Sequence, residues 1–291
     1  MGATTALRLP FIDSLPEARL GVPLAPASIS PPLKWAGGKR WQLPRLRSLW
    51  TGHAHRRLVE PFCGSLSVSL GLAPRAALVN DVNVHLVNFY RWVQRGLTIE
   101  IALENDEAAF YRNRERFNAL LRDGQAESSE AAALFYYLNR TGFNGLCRFN
   151  RSGFFNVPFG RYTKISYQRS FPDVQVALSG YELRCEPFES LRLAATDFVY
   201  ADPPYDVPFT TYSAGGFAWA DQERTAAWLA AHPGPVVLVN QATPRIRELY
   251  GSLGFELTEL DAPRRISCTG DRTPAREVLA TRNLGSPNGA R

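Results

Sequence analysis

The sequence predicts an α/β fold built on an open, mostly parallel β-sheet that is interrupted by a long insertion. Short apolar runs alternate with amphipathic stretches of helix length near the start and in the last third of the chain, as expected for βαβ units. Residues 84–129 lack strand signals and are rich in helix formers, and a basic, aromatic stretch follows them. Residues 91–182 are therefore predicted to be inserted between two parts of the sheet.

The predicted strands follow from apolar runs bounded by Gly, Pro or acidic residues. They are LVEPF (58–62), AALVND (76–81), DFVYAD (197–202), PVVLVN (235–240), FELTEL (255–260) and EVLATRN (277–283). Helices are predicted at 128–140, 221–232 and 243–254, the last with Thr243 as N-cap and Pro244 in its first turn. Asp81 and Asp202 both end strands, and ligands of such sheets bind at the carboxyl ends of the strands.

Composition sets limits on the class of protein. With 291 residues, 45% of them hydrophobic, the chain can bury a sizeable core. No apolar run reaches 18 residues, so no membrane segment and a cytoplasmic location are expected. The four cysteines lie far apart without the paired spacing of a zinc site, so no metal and no disulfide framework are expected: Cys63, Cys147, Cys185 and Cys268.

Residues 1–32 carry six prolines and are predicted to form a loosely ordered leader. The predicted organisation then comprises a sheet domain from 33–90 and 183–285, the insertion at 91–182 and a short tail at 286–291.

Two glycine-containing segments are candidates for ligand contact. KWAGGK (34–39) sets a Trp beside two glycines between lysines, which predicts an exposed loop with an aromatic platform or a plain turn. In EPFCG (60–64), Gly64 allows close approach of a ligand to the backbone or forms a structural turn. Asp81 follows Gly64 by 17 residues, a position suited to a ribose-binding acid or to a helix N-cap.

The third predicted strand runs into DPPY (202–205), which predicts a socket for an aromatic amine. Consecutive prolines lack backbone donors and have fixed φ angles, so their carbonyls cannot continue a sheet. An Asp beside a rigid carbonyl can accept both hydrogens of an NH₂ group, and a nearby Tyr can stack on the attached ring. Two acceptors favour a pyramidal nitrogen with an available lone pair. The alternative is a turn that only terminates the strand.

Residues 139–170 concentrate positive charge. They contain six Lys or Arg, no Asp or Glu, and seven Phe or Tyr, whereas the whole chain has a net charge of +6. This composition suits nucleic acid, because cations attract phosphates while Arg and Asn read base edges; the alternative is a basic surface loop. Glycines at 142, 145, 153 and 160, with Pro158, favour a protruding hairpin.

Taken in order, six segments resemble the Dam-type DNA adenine-N6 methyltransferases (D12 class, alpha group). The resemblance spans 33–283 and rests on KWAGGK (34–39), LVEPFCGSLSVSL (58–70), LVNDVNVHLVNFY (78–90), LNRTGFNGLCRFNRSGFFNVPFGRY (138–162), VYADPPY (199–205) and RRISCTG (264–270). It implies a Rossmann-like methyltransferase sheet with an inserted helical/hairpin target-recognition domain. It also implies transfer of a methyl group from S-adenosyl-L-methionine to N6 of an adenine flipped out of double-stranded DNA.

The resemblance assigns roles to individual residues. It implies cofactor contacts for Trp35, Ala36, Gly37, Lys39, Glu60, Phe62, Gly64, Asp81 and Asp202. It implies that Asp202, Pro203, Pro204 and Tyr205 form the catalytic socket, with Asp202 and the Pro203 carbonyl on N6 and Tyr205 stacked on the base. It implies DNA contacts for Lys34, Arg140, Phe143, Asn144, Leu146, Arg148, Asn150, Pro158 and Tyr212, with Arg148 on a guanine edge and Lys34 at the first guanine of a GATC site.

Two departures from the family pattern are visible. Ser65 and Leu66 follow Gly64 where a more glycine-rich run is common, and Phe143 replaces a frequent Tyr, whose hydroxyl contact would be lost. Two other functions remain open: methylation of another amine, such as cytosine N4 or an RNA adenine, and DNA binding without catalysis. The resemblance implies a monomer.

Overall fold

A computed structural model describes residues 29–206, 216–262 and 275–285. Most of the predicted leader, the tail, Cys268, the predicted DNA-binding residue Tyr212 and the RRISCTG segment lie outside the described residues.

Seven strands form one sheet in the described part of the chain. They are β1 (Leu58–Glu60), β2 (Ala77–Asn80), β3 (Tyr181–Arg184), β4 (Phe198–Ala201), β5 (Val236–Gln241), β6 (Glu256–Ala262) and β7 (Ala275–Arg282), in the order β3-β2-β1-β4-β5-β7-β6. The first five strands of that order pair in parallel, whereas β7 runs antiparallel to both β5 and β6. The prediction of an open, mostly parallel α/β sheet is confirmed.

Eight α-helices accompany the sheet in the same described residues. They are α1 (Leu43–Trp50), α2 (Ser67–Leu72), α3 (Val84–Gln94), α4 (Glu107–Arg122), α5 (Ser129–Thr141), α6 (Pro172–Leu178), α7 (Trp219–Ala230) and α8 (Pro244–Ser252). No helix in these ranges is long and apolar enough to cross a membrane.

The core lies on both faces of the sheet because successive side chains of a strand point to opposite faces. In β5, Val237 and Val239 join the cluster that includes α1 to α6, while Val236 and Leu238 join the cluster formed with α7 and α8. All four side chains are fully buried. The near-continuous apolar sequence of this strand therefore reflects burial on two faces.

Strand β3 was not predicted. Its sequence, YELR, runs from a buried Tyr181 through two partly buried residues to an exposed Arg184. It pairs only with β2, at the edge of the sheet. The strand crosses the predicted boundary between 182 and 183, and α3 crosses the one between 90 and 91. The division into two domains stays a prediction, and both of its boundaries fall inside these elements.

The basic stretch forms an irregular hairpin after α5. Two isolated antiparallel bridges, Gly142 with Phe159 and Phe149 with Phe155, hold its arms together. The side chains of Phe155 and Val157 are fully buried, and the Phe155 ring lies edge-on to Phe117 of α4. The segment from Gly142 to Gly160, called the recognition hairpin below, is thus packed against the helices on one side instead of protruding freely.

Candidate active site

Three neighbouring strands bring the predicted site residues together. Glu60 ends β1, Asp81 directly follows β2, and Asp202 directly follows β4. Because the sheet order is β2-β1-β4 and the three strands are parallel, their carboxyl ends meet at one edge.

A buried lysine contacts the DPPY carboxylate. The Lys39 Nζ lies 2.9 Å from Asp202 Oδ2, and the two side chains are 3% and 21% exposed. The same ammonium donates to the Gly37 carbonyl at 2.6 Å and lies 4.8 Å from the centre of the Tyr205 ring. The KWAGGK segment therefore reaches the DPPY segment directly.

Two opposing effects act on the charge of Asp202. Burial raises the pKa of its carboxyl and is the larger effect, whereas the charge of Lys39 and its hydrogen bond lower that pKa. Lys39 therefore supplies the counter-charge that favours an ionised acceptor at the end of β4.

The two proline carbonyls differ in their hydrogen bonding. Gln222 of α7 donates to the Pro204 carbonyl at 2.7 Å, and Asn240 of β5 donates to the Gln222 side chain at 2.9 Å. Among the residues that the structure describes, no group donates to the Pro203 carbonyl. Within the described residues, only the Pro204 carbonyl has a donor, and the contact of the Pro203 carbonyl with a substrate amine stays a prediction.

The residue after DPPY is anchored to helix α8. Arg245 pairs with the Asp206 carboxylate through two nitrogens, and Thr243, the N-cap of α8, donates to it at 3.1 Å. The Asp206 backbone N–H donates to Asn240 at 3.2 Å. These contacts fix the chain direction immediately beyond Tyr205.

Tyr205 presents a polar atom inside the site. Its hydroxyl is buried and lies near the carboxyl groups of Asp202 and Glu277, whose pKa values its hydrogen bonding lowers. Burial raises the pKa of this hydroxyl, and the neighbouring Asp202 raises it further. The Tyr205 hydroxyl therefore links the DPPY segment to Glu277 of β7.

The turn after β1 has little free space. Gly64 has φ +46°, and a Cβ at this position would lie 2.8 Å from Trp35 Nε1, so Trp35 covers the turn. Leu66, at the first position before α2, also has a positive φ of 59° where a glycine would avoid strain. Leu66, which stands where a glycine is common in the family, therefore adopts an unfavourable backbone conformation, and its side chain is fully buried.

Glu60 and Phe62 lie on either side of the same turn. Ser69 donates a hydrogen bond to the buried Glu60 carboxyl. Burial raises the pKa of Glu60 to about 8, although this hydrogen bond acts to lower it. Phe62 is half-buried, with ring centres 5.5 Å from Phe188 and 6.0 Å from Phe217. Glu60 thus lies in the interior, whereas Phe62 belongs to an aromatic cluster that a planar ligand could extend.

Asp81 links the first two strands. Its carboxylate accepts from the Gly64 backbone N–H at 3.1 Å and from the Asn83 backbone N–H at 2.9 Å. Burial raises the pKa of Asp81, and these two hydrogen bonds lower it. The N-cap of α3 is Asn83, which accepts from the His85 and Leu86 N–H groups, so the N-cap alternative for Asp81 is wrong.

The predicted DNA-side lysine is held by the end of α5. Lys34 Nζ donates to the Arg140 carbonyl at 2.9 Å and lies 3.6 Å from the centre of the Tyr162 ring. Burial and then the charge of Arg140 lower the pKa of Lys34 to about 8. The Arg140 guanidinium itself donates to the Ser166 carbonyl at 2.9 Å.

Arg148 stands on the exposed side of the recognition hairpin. Asn156 holds its guanidinium through its side chain at 2.8 Å and its carbonyl at 3.2 Å. Asn150 accepts from the Ser152 and Phe154 N–H groups and so shapes the hairpin turn. Asn150 therefore stabilises the hairpin turn, and the base contact expected for it is a separate role.

The remaining predicted DNA-side residues surround the start of the hairpin. Phe143 is 47% exposed and its N–H donates to the Pro158 carbonyl at 2.9 Å. Asn144 adopts a positive φ of 53°, while Leu146 is half-buried against the core. Phe143 is thus the large apolar side chain that this segment offers to solvent.

Sequence reasoning missed a buried polar group beneath the site. Gln42 donates to Glu277 of β7 at 2.9 Å and accepts from the Tyr200 hydroxyl at 3.2 Å. Burial raises the pKa of Glu277, and the charge of Lys39 lowers it. Gln222 and Asn240 were missed as well, because only the three-dimensional pairing of β4, β5 and β7 brings such residues near DPPY.

Comparison with known proteins agrees with this geometry. The family model of D12 class N6 adenine-specific DNA methyltransferases matches residues 35–266. The Retron Ec67 DNA adenine methylase of Escherichia coli is 34% identical over 266 residues, covering 85% of this chain and 90% of that protein. The DNA adenine methylase of E. coli K12 is 33% identical over 273 residues, covering 85% and 93%.

A DNA N-6-adenine-methyltransferase of Escherichia phage P1 is 36% identical over 266 residues, covering 84% of this chain. The match spans 34% of the phage protein, so the chain corresponds to about a third of that relative. The family match begins at Trp35 of KWAGGK and ends at residue 266, just after β6. It therefore includes the ion-paired Lys39 and the DPPY segment. The chain therefore belongs to the D12 class of N6 adenine-specific DNA methyltransferases.

Proposed function

We propose that the protein transfers a methyl group from S-adenosyl-L-methionine to N6 of an adenine flipped out of double-stranded DNA. The observation that carries the proposal is the acceptor pair at the end of β4. Asp202 and Pro203 are consecutive residues, no group in the described part of the chain donates to the Pro203 carbonyl, and Tyr205 follows two residues later. Such a pair suits both hydrogens of an exocyclic amine.

The chain's own groups favour attack by the amine nitrogen. Hydrogen bonds from N6 to Asp202 and to the Pro203 carbonyl favour a pyramidal nitrogen whose lone pair is directed at the methyl group. Lys39 favours the ionised, accepting form of Asp202. The N6–CH₃ bond would form as the S–CH₃ bond of the donor breaks, with S-adenosylhomocysteine as the leaving group. N6 would then carry an extra proton, which leaves through Asp202 to solvent. The Tyr205 ring would stack on the base.

The residues at the ends of β1 and β2 fit the methyl donor. The positive sulfonium of S-adenosyl-L-methionine supplies an activated methyl group. Asp81 offers carboxylate oxygens for ribose hydroxyls, and the aromatic cluster at Phe62 suits the adenine ring. Gly64 lets the turn lie directly under Trp35, so the KWAGGK loop would close over the cofactor. Ala36, Gly37 and Glu60 complete the proposed cofactor contacts.

Target recognition is proposed for the recognition hairpin, within a DNA-binding insertion. An exposed Arg148, held by Asn156, can present its guanidinium to guanine O6 and N7. Lys34 is proposed to contact the first guanine, and Phe143 to occupy the stack left by the flipped base. Arg140, Asn144, Leu146, Asn150, Pro158 and Tyr212 are the other proposed DNA contacts. We propose GATC as the site, a monomer as the acting form and the cytoplasm as the location.

Transfer of labelled methyl from S-adenosyl-L-methionine to unmethylated duplexes tests the proposal. A GATC duplex and a scrambled duplex of equal composition are compared, and the labelled nucleoside is identified after digestion. Label in N6-methyladenine with the GATC duplex alone is the expected result. Label in N4-methylcytosine would reassign the base. Cofactor binding without label on any duplex or RNA would indicate a silent DNA-binding protein.

A further inference from the structure

One buried amide joins the recognition hairpin to the KWAGGK loop. Asn139, in the last turn of α5, is fully buried. Its Oδ1 accepts from the Lys34 backbone N–H at 2.8 Å, and its Nδ2 donates to the Lys34 carbonyl at 2.8 Å and to the Gly145 carbonyl at 3.1 Å. Every donor of this amide is engaged, so its orientation is fixed.

The two segments held by Asn139 are in close contact. A Cβ at Gly145 would lie 2.4 Å from Lys34 Cβ, and Gly145 has a φ of +63°. No side chain fits at this position without displacing Lys34, because the clash is with the part of Lys34 nearest the backbone. A shift of the hairpin at Gly145 must therefore also move Lys34 or break the amide bridge.

Lys34 is followed at once by residues of the active site. Trp35 covers the turn at Gly64, and five residues after Lys34 the Lys39 ammonium pairs with Asp202. The segment between them is short, so a displacement of the Lys34 backbone reaches both the cofactor side and the catalytic side of the site.

We propose that Asn139 is a positioning residue that couples DNA reading by the recognition hairpin to cofactor binding at the KWAGGK loop. The inference rests on the proposed function, because it takes the hairpin as the DNA contact and the loop as the cofactor contact. Binding of the target duplex at the hairpin fixes Gly145, and Asn139 transmits that constraint to the backbone of Lys34. Target DNA and cofactor then strengthen each other's binding by the same factor.

The chain contains a matched control for a merely structural role. Asn118 of α4 is buried and bridges the same hairpin, accepting from the Phe155 N–H at 2.9 Å and donating to the Phe155 carbonyl at 3.1 Å. It makes no hydrogen bond to the KWAGGK loop. Loss of Asn118 loosens the hairpin and lowers stability, as loss of Asn139 does, but leaves the bridge to Lys34 intact.

The test measures binding of S-adenosylhomocysteine by calorimetry, alone and with the duplex that the wild-type protein methylates. The wild type and Asn118→Ala are expected to bind it about fivefold or more tightly with the duplex, within the usual range of coupling between sites. Asn139→Ala is expected to reduce this gain to less than about twofold. Asn139→Asp keeps the accepting oxygen and loses both donated hydrogen bonds. It replaces Asn139→Ala in the test if the alanine variant does not fold, with the same expected result.

Three results would overturn the inference: no gain in the wild type, a retained gain in the Asn139 variant, or equal loss in the Asn118 variant. Failure of the wild type to methylate any duplex would instead overturn the proposed function.

Discussion

Replacing Lys39 with methionine removes the cation that lies 2.9 Å from Asp202 and leaves a carboxylate of 21% exposure without its counter-charge. Methionine preserves most of the length of the buried side chain, so the change isolates the ammonium. The variant also loses the hydrogen bond to the Gly37 carbonyl, which must be separated from the loss of the ion pair.

The magnitude follows from the burial of the pair. Breaking a buried ion pair by removal of one partner costs about 3–5 kcal/mol, and the partial exposure of Asp202 selects the lower end, about 3 kcal/mol. Without Lys39 the pKa of Asp202 rises further above its value in the unfolded chain. The folded variant then binds a proton more tightly than the unfolded chain, so its destabilisation is greatest at high pH. It shrinks as the pH falls and Asp202 becomes protonated.

The assay is a double-mutant cycle with Asp202→Asn, followed by urea denaturation at several pH values. In the Asp202→Asn background the Lys39→Met change still removes the Gly37 contact and the positive charge near Glu277, but it no longer leaves Asp202 without its partner. The expected coupling energy is about 3 kcal/mol at pH 8 and falls towards acidic pH. A coupling energy below about 0.5 kcal/mol, or one independent of pH, would refute the reasoning. In methyl transfer, the acidic limb of the kcat profile should move to higher pH.

Three further substitutions test other parts of the site. Arg148→Ala should lower discrimination between GATC and sites with one altered guanine by about 1–3 kcal/mol. As the control, Arg151→Ala at an exposed neighbouring position should weaken binding to all duplexes alike. Equal losses of discrimination for both variants in competition binding would contradict the assignment of Arg148. Gly64→Ala should lower the free energy of unfolding by about 1–2 kcal/mol in urea denaturation, because Gly64 has a left-handed backbone conformation. It should also weaken S-adenosylhomocysteine binding, because the added Cβ would lie 2.8 Å from Trp35. The control is Gly52→Ala, where a Cβ meets nothing within 4 Å. Gln222→Leu should lower kcat more than it raises KM and should lower the free energy of unfolding by about 1–3 kcal/mol, because the Pro204 carbonyl loses its donor and Asn240 loses one of its two acceptors. Unchanged kcat would show that the carbonyl needs no restraint.

The sequence predicted the central strands because they are buried on both faces and read as apolar runs. It missed β3, whose YELR sequence is half-exposed at the edge of the sheet. The recognition hairpin was recognised by its glycines and charge, but its packing on α4 depends on Phe155 and Val157, which composition alone does not distinguish from exposed aromatic residues.

Within the site, residue types at strand ends were more informative than residues within elements. Asp202 was found because it is followed by two prolines, and its pairing with Lys39 could not be predicted, because 163 residues of sequence separate them. Asn139 belongs to the LNRTGFNGL segment, but its bridging hydrogen bonds could not be predicted from the sequence, since its partners Lys34 and Gly145 belong to different segments. Gln42 and Glu277 carry no spacing signal at all.

The central claim is that the end of β4 accepts an exocyclic amine through Asp202 and the Pro203 carbonyl. A crystal structure of the protein with S-adenosylhomocysteine and a GATC duplex tests it most directly. The account predicts a flipped adenine whose N6 lies about 2.7–3.2 Å from both an Asp202 oxygen and the Pro203 carbonyl, with the Tyr205 ring stacked on the base. An adenine bound elsewhere, or one whose N6 contacts neither acceptor, would contradict it.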